Sequence, residues 1–206
     1  MDELRNILDE AIQRYSSNDY YEKLKSAKEE YFKLTGKLSE EDEDYESRMN
    51  GFVYWYITQR DQDSAGPLIK NYLSDISIDD SKKEAMLEIN HSLFEYRGQN
   101  LFKKHVFKDI LHNSKFYIPK DEFTLQLVKD DLFIARTITH EGKTMLLDDI
   151  SVLPYDARGP LVKESKKVRK LNDRKRDMQF LLKIEALKTK WRQYGHIDPK
   201  KIFIFK

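Results

Sequence analysis

Five basic side chains near the C-terminus are spaced so that they could act together. Lys163, Lys166, Lys167, Lys170 and Arg174 follow the positions i, i+3, i+4, i+7 and i+11, which form one charged stripe on a helix. Such a stripe can neutralise phosphates or the carboxylates of an acidic protein surface. Base stacking also needs interleaved aromatic side chains, and this stretch has none until Phe180. We therefore predict a partner-binding site at these five residues.

The other residues able to do chemistry form no recognisable catalytic set. The sequence has no cysteine, no glycine-rich phosphate loop and no histidines at zinc-ligand spacing. Adjacent carboxylates occur as Asp130 with Asp131 and as Asp148 with Asp149, near predicted strand ends. Neighbouring side chains on a strand point to opposite faces, so turn chemistry explains these pairs better than a metal or acid–base site. We expect no enzymatic activity, no cofactor and no metal.

The charges that surround these groups are segregated along the chain. The 206 residues carry 37 Lys and Arg against 36 Asp and Glu, a formal net charge of +1. Residues 1–50 have a net charge of −6, residues 51–150 of −3 and residues 151–206 of +10. The acidic run at residues 40–44 follows Ser39, and we interpret it as the capped first turn of a helix. The basic block has no such local explanation.

Apolar periodicity predicts helices in the first part of the chain. One helical face recurs through Leu4 to Tyr15, and a second from Tyr21 to Leu34, where Gly36 gives a stop. A third helix runs into the aromatic segment 52–57, which we expect to be central in the core. After a polar loop at residues 59–66, Pro67 starts a short helix, and Asp79 and Asp80 cap another that extends past His91 and Leu93.

From about residue 94 the pattern changes to short runs typical of strands. These runs, separated by turn residues, lie at 94–97, 106–111, 115–118, 123–128, 132–139 and 145–153. A long, basic helical stretch follows from Leu161 to Tyr194, and the apolar tail 202–205 is expected to be buried. We predict an α+β fold with a helical region (1–93), a small antiparallel sheet or barrel of five to six strands (94–154), and a basic C-terminal helix with a short tail (155–206).

One resemblance accompanies this pattern. The segments Phe52-Val53-Tyr54-Trp55-Tyr56, Gly66-Pro67-Leu68, Ser92-Leu93-Phe94-Glu95, Phe107-Lys108-Asp109-Ile110-Leu111 and Lys129-Asp130-Asp131-Leu132-Phe133-Ile134-Ala135-Arg136 occur in this order. Over residues 45–155 the chain resembles an uncharacterised group of bacterial proteins, in which an aromatic-Trp-aromatic segment precedes a small β-domain. That resemblance implies no activity and no site residues.

Three classes of function follow from the sequence. No apolar run approaches the roughly 20 residues of a membrane span, and the N-terminus lacks signal-peptide features, so we expect a soluble cytoplasmic protein without membrane contact. The leading hypothesis is a non-enzymatic interaction or regulatory protein whose basic helix meets an acidic protein partner. An alternative is a nucleic-acid-binding protein that uses the same helix and the β-domain. A third class, a small-molecule enzyme, predicts a pocket lined by Trp55, Tyr56 and Arg136.

Overall fold

Five helices form the first part of the chain, as the apolar periodicity predicts. The computed structural model describes residues 1–62 and 66–205, so the predicted polar loop 59–66 lies partly outside the described residues. Leu4, Leu8, Ala11 and Tyr15 lie on one face of the first helix and are buried. The helices α1 to α5 span Asp2–Tyr15, Tyr21–Thr35, Tyr45–Thr58, Leu68–Asp75 and Asp80–Leu87.

The aromatic segment lies in α3 and forms the centre of the N-terminal core. Phe52, Trp55 and Tyr56 are at most 2% exposed. The Tyr31 ring from α2 packs against Phe52 and Trp55, with ring centroids 5.7 and 5.3 Å apart. Burial of such large rings contributes much of the hydrophobic stabilisation of a small core. The prediction of a buried helix in this segment is therefore confirmed.

Six antiparallel strands follow, and they form one strongly curled sheet. The strand order is β3-β2-β1-β4-β5, with β6 also paired to β4. The outer strands β3 and β5 contact each other, so the sheet is nearly closed. An α+β fold with five to six strands after N-terminal helices is confirmed. The strands β1 to β6 span Asn90–Gln99, His105–Asp109, Ser114–Ile118, Leu132–His140, Lys143–Leu146 and Ser151–Val152.

Besides the run 145–153, which is divided between β5 and β6, two predicted elements differ in the structure. The helix that was expected to include His91 and Leu93 ends at Leu87, because residues 90–95 pair with β4 instead. Segment 123–128, predicted as a strand, has no regular structure; its side chains Phe123 and Leu127 pack against the aromatic core. Tertiary contacts override local propensity in both cases. Residue 93 lies inside β1, and the division into three regions stays a prediction.

The two faces of the sheet pack against different partners. Phe94, Phe107 and Phe133 point inward and form an aromatic core that is fully buried. Leu93 and Ile134, one residue out of phase, point to the helices that follow the sheet. This alternation is the period of a strand. As a result the inner face is covered by the aromatic core and the outer face of β1 and β4 by the C-terminal helices, whereas Tyr117 on β3 is 50% exposed.

The C-terminal stretch consists of two helices where one was predicted. The helix α6 spans Arg158–Arg169 and α7 spans Arg174–Gln193, and both pack on the sheet core. Asn172 between them takes a left-handed conformation with a φ of 49°, and Asp173 caps α7. Both side chains can bond nearby backbone groups, which favours a helix boundary over continuation. The predicted single helix is therefore wrong at residues 170–173.

The apolar tail is largely buried, as expected. Its first residue, Ile202, is the last residue of the short helix α8, Pro199–Ile202, which Asp198 caps. Ile202 and Phe203 are 7% and 1% exposed, whereas Ile204 is 53% exposed. Within the described ranges, no helix is long and apolar enough to cross a membrane.

Candidate functional site

The five predicted partner-binding residues all lie on the surface, but they do not form one continuous helical stripe. Lys163, Lys166 and Lys167 are on α6, Lys170 ends that helix, and Arg174 begins α7. All five side chains belong to exposed residues. Because the chain turns at Asn172, the predicted alignment of Arg174 with the α6 lysines is wrong. We call these five residues the basic surface.

Few carboxylates face the basic surface. Lys167 donates to Glu164 on its own helix, with Nζ and Oε2 2.6 Å apart. Arg174 lies 3.8 Å from Glu88, and both side chains are strongly exposed. The other three lysines make no ion pair within the part of the chain that the structure describes. Exposed ion pairs contribute about 0–1 kcal/mol, so the charge of this surface is available to a partner.

The acidic run pairs with a different part of the C-terminal region. Residues 40–44 form turns that precede α3, so their interpretation as the first helical turn is wrong. Asp44 Oδ2 lies 2.8 Å from Nζ of Lys188, and Arg192 also pairs with Asp44. Burial opposes ionisation of Asp44, but Lys188 and Arg192 outweigh it and lower its pKa. The acidic run therefore pairs with Lys188 and Arg192 of α7 and not with the basic surface.

The pocket predicted at Trp55, Tyr56 and Arg136 is not formed in the described residues. Trp55 and Tyr56 pack in the N-terminal core, while Arg136 is 1% exposed and pairs with Asp149, which is 3% exposed. A void of about 10 Å³ lies beside Arg136, which is room for about one water molecule and not for a substrate. Asp149 Oδ1 also accepts the Arg136 backbone N–H at 3.0 Å, so the buried pair is explained by its structural role in the fold.

A polar cleft of about 300 Å³ opens next to the basic surface. It lies where the start of β1, the end of β2 and the α6–α7 turn meet. Sequence analysis missed it because its residues are scattered and only Arg174 belonged to a predicted site. The polar side chains that line it include Gln59, Glu88, Asn90, His91, His112, Arg174 and Asp177.

His112 is held at the cleft by a buried carboxylate. Its Nδ1 lies 3.0 Å from Oδ2 of Asp109, and its Nε2 lies 3.4 Å from Oδ2 of Asp177. Asp109 is 1% exposed and also accepts from the Ser92 hydroxyl at 2.6 Å and from the Asn90 amide at 3.0 Å. Ser92 is fully buried and donates to the carboxylate, so it is not placed as a nucleophile. The Asp109 carboxylate can thus orient the His112 imidazole for proton transfer or for binding an anion.

The pKa values of His112, Asp109 and His91 are shifted by burial and by hydrogen bonds. The hydrogen bond to Asp109 raises the pKa of His112. Burial alone would raise the pKa of Asp109, but hydrogen bonds from His112 and Ser92 outweigh it, so this pKa is lowered. Burial lowers the pKa of His91 well below its usual value, and His91 is therefore neutral at pH 7. The surroundings thus favour the protonated form of His112 and the neutral form of His91.

Comparisons with known proteins do not add a functional assignment. No family model, curated protein or solved structure matches this chain. The resemblance to an uncharacterised bacterial group stays a prediction. Function is therefore inferred from the sequence and the structure alone.

Proposed function

We propose that this protein is a non-enzymatic interaction protein of the cytoplasm, which binds an acidic surface of a partner protein through its basic surface. The observation that carries this proposal is that Lys163, Lys166 and Lys170 are exposed and unpaired among the described residues. Within the acidic run of the same chain, Asp44 pairs with Lys188 and Arg192, and Glu43 pairs with Arg192. The positive charge of these three lysines therefore has no ion-pair partner among the described residues that would compete with a binding partner.

The chemistry of the surface suits a partner that is recognised by charge. Lysine ammonium groups act as flexible point charges, so they attract carboxylates without demanding one fixed geometry. Such attraction steers association and weakens as salt screens it over about 10 Å at 0.1 M ionic strength. Leu171, 60% exposed in the turn between Lys170 and Arg174, adds an apolar contact that a protein surface can cover.

Nucleic acid is a weaker candidate for a structural reason. The helix α6 carries no aromatic side chain on which a base could stack. Phosphate contacts alone would give binding without sequence preference and with a steep salt dependence. The experiment below separates the two classes of partner.

A charge-reversal variant with a matched control tests the proposal. We expect Lys163→Glu/Lys166→Glu/Lys170→Glu to abolish binding of fluorescent poly-L-glutamate, followed by anisotropy at low ionic strength. The control, Lys25→Glu/Lys28→Glu/Lys33→Glu, reverses three exposed lysines on α2 and changes the net charge equally. It is expected to retain most of the affinity if position, and not total charge, decides binding.

Single-stranded RNA and duplex DNA serve as the second set of probes. Tighter binding of either nucleic acid than of poly-L-glutamate, lost in the α6 variant and kept in the α2 control, would support the alternative function instead. Absence of binding to every polyanion at low salt, or equal losses in both variants, would overturn a role for the basic surface. Circular dichroism of each variant verifies that the fold is intact.

A further inference from the structure

The connection between β1 and β2 carries two apolar side chains into solvent. Leu101 is 99% exposed and Phe102 is 83% exposed. Lys103 and Lys104 follow them and are also exposed, and residues 99–105 contain no carboxylate. Single exposed apolar residues are common on protein surfaces, but two adjacent ones that touch almost nothing of their own chain indicate a contact with another molecule. We call residues 100–104 the tip.

The tip is held in one conformation by its own hydrogen bonds. Asn100 Oδ1 accepts the backbone N–H of Phe102 at 2.9 Å and that of Lys104 at 3.0 Å. The backbone N–H of Asn100 donates to the carbonyl of Lys104, and Lys103 takes a left-handed conformation with a φ of 58°. A loop that is already ordered loses little conformational entropy on binding. The apolar and basic side chains are therefore presented together before any partner arrives.

A groove of about 880 Å³ lies where α1 and α3 approach β5 and the segment 122–125. Its volume is in the upper part of the range of ligand pockets, which is roughly 300–1,000 Å³, so it has room for two large side chains. Part of its lining is apolar and accessible to such side chains. The apolar residues of the groove include Ile118, Phe123, Leu125, Met145 and Leu146.

The remaining lining of the groove is predominantly acidic. Its cations are Arg5, which already pairs with Asp148, Lys143 and the amino group of Met1. These three cations are outnumbered by six carboxylates, so the groove attracts a segment that is both apolar and basic. Among the described residues, the carboxylates of the groove without an ion-pair partner are Asp2, Glu46 and Glu122. The six carboxylates of the lining are Asp2, Glu43, Asp44, Glu46, Glu122 and Asp148.

We propose that the groove binds the tip of a second copy of this chain, with Leu101 and Phe102 on the apolar lining and the two lysines facing the carboxylates. Both complementary surfaces belong to the same chain. The tip leads into His105, which lies opposite Ile118 of the groove in the register of β2 and β3, so the two features lie at the same end of the sheet. One two-fold axis can therefore use the contact in both directions, and two-fold dimers are the commonest oligomers.

Sedimentation velocity tests the dimer and its dependence on the tip. We expect a monomer–dimer equilibrium with a dissociation constant of about 1–100 µM, because two short tips bury less area than a permanent interface. Leu101→Ser/Phe102→Ser is expected to raise this constant about a hundredfold, roughly tenfold for each apolar side chain left in water. The control Tyr21→Ser/Leu34→Ser replaces two exposed apolar residues of α2 that do not line the groove, and it is expected to keep the dimer.

An exchange of charges between the tip and the groove tests which surfaces meet. Lys103→Glu/Lys104→Glu is expected to be monomeric, because its acidic tip meets an acidic groove. Glu46→Lys/Glu122→Lys, at two exposed positions of the groove, is expected to be monomeric for the opposite reason. An equimolar mixture of these two variants is expected to recover the dimer, since both contacts then join opposite charges again. Circular dichroism verifies that each variant is folded.

Two further variants separate the contact from net charge and from the basic surface. Lys25→Glu/Lys28→Glu makes the same change of net charge on α2, and it is expected to dimerise like the wild type and to leave Glu46→Lys/Glu122→Lys largely monomeric in a mixture. The basic-surface variant Lys163→Glu/Lys166→Glu/Lys170→Glu is also expected to dimerise. If that variant were monomeric, the basic surface and not the tip would occupy the groove, and the proposal would be overturned.

Cysteine substitutions locate the contact, since the chain has no cysteine of its own. Leu101→Cys mixed with Leu125→Cys is expected to form a disulfide-linked dimer, identified by peptide mass spectrometry, whereas Tyr21→Cys in place of Leu101→Cys is expected to give little product. Equal yields, or a wild type that is monomeric at about 1 mM, would overturn the proposal. So would binding of a monomeric wild type to phosphatidylserine vesicles through Leu101 and Phe102, which would assign the tip to a membrane surface.

Discussion

Replacement of Arg136 by methionine is expected to destabilise the protein strongly. Arg136 and Asp149 are 1% and 3% exposed, and their side chains are joined by an ion pair. In Arg136→Met the Asp149 carboxylate keeps only the backbone N–H of residue 136 and loses its counter-charge. An uncompensated buried charge costs about 3–5 kcal/mol. For a chain of this length the melting temperature should fall by roughly 6–20 °C, because each kcal/mol corresponds to about 2–4 °C.

Urea denaturation followed by circular dichroism measures this loss, and two further variants interpret it. Arg136→Met/Asp149→Leu removes both charges and is expected to recover stability to within about 1 kcal/mol of the wild type, because apolar replacement of a buried pair is often neutral. Arg14→Met breaks the Arg14–Asp75 pair, whose side chains are 42% and 51% exposed, and should cost no more than about 1 kcal/mol. A loss below about 1 kcal/mol in Arg136→Met, or no recovery in the double variant, would refute the reasoning.

Two other substitutions probe the core. Burial raises the pKa of Glu185, although Lys188 opposes this shift. The folded state therefore binds a proton at Glu185 more tightly than the unfolded state does. As the pH rises from the ordinary carboxyl range towards the folded pKa, the contribution of Glu185 to the free energy of unfolding becomes less favourable. Glu185→Gln should therefore gain stability relative to the wild type as the pH rises; an unchanged difference between pH 4.5 and pH 8 in urea denaturation would contradict this. Gly36→Ala should cost more than Gly142→Ala in thermal melts, because both glycines have positive φ but only at Gly36 would the new Cβ lie 2.6 Å from Cγ2 of Thr189. Equal losses would show that backbone strain, and not this close approach, dominates.

The sequence predicted those features that depend on local periodicity. The burial pattern of α1, the aromatic centre in α3 and the strand-rich segment after it follow from residue spacing and were confirmed. Exposure of the five side chains of the basic surface also follows, since the charged face of an amphipathic helix stays in water while the opposite face, here with Leu161 and Ser165, is buried. The basic surface as a site of binding stays a prediction.

Features that depend on pairing between distant residues were not predictable. Residues 90–93 continue a helical pattern, and only their register with β4 makes them part of a strand. Asp109 and His112 are close in sequence. Asp177 is distant in sequence, and it lies next to His112 only because α7 packs against the sheet. Asn172 and Asp173 carried the signal for that turn, because both residue types favour helix ends, but the stretch from Leu161 to Tyr194 was predicted as one helix.

The burial of Ile202 and Phe203 has a consequence for the order in which the protein acquires its structure during synthesis. These two residues belong to the core that also contains Leu93 and Leu161, whereas the members of the aromatic core lie between residues 94 and 150. A nascent chain can therefore complete the aromatic core before α6, α7 and α8 have emerged from the ribosome. Until those helices fold, Leu93 and Ile134 on the outer face of the sheet stay uncovered, and Ile202 and Phe203 are the last residues to join that core.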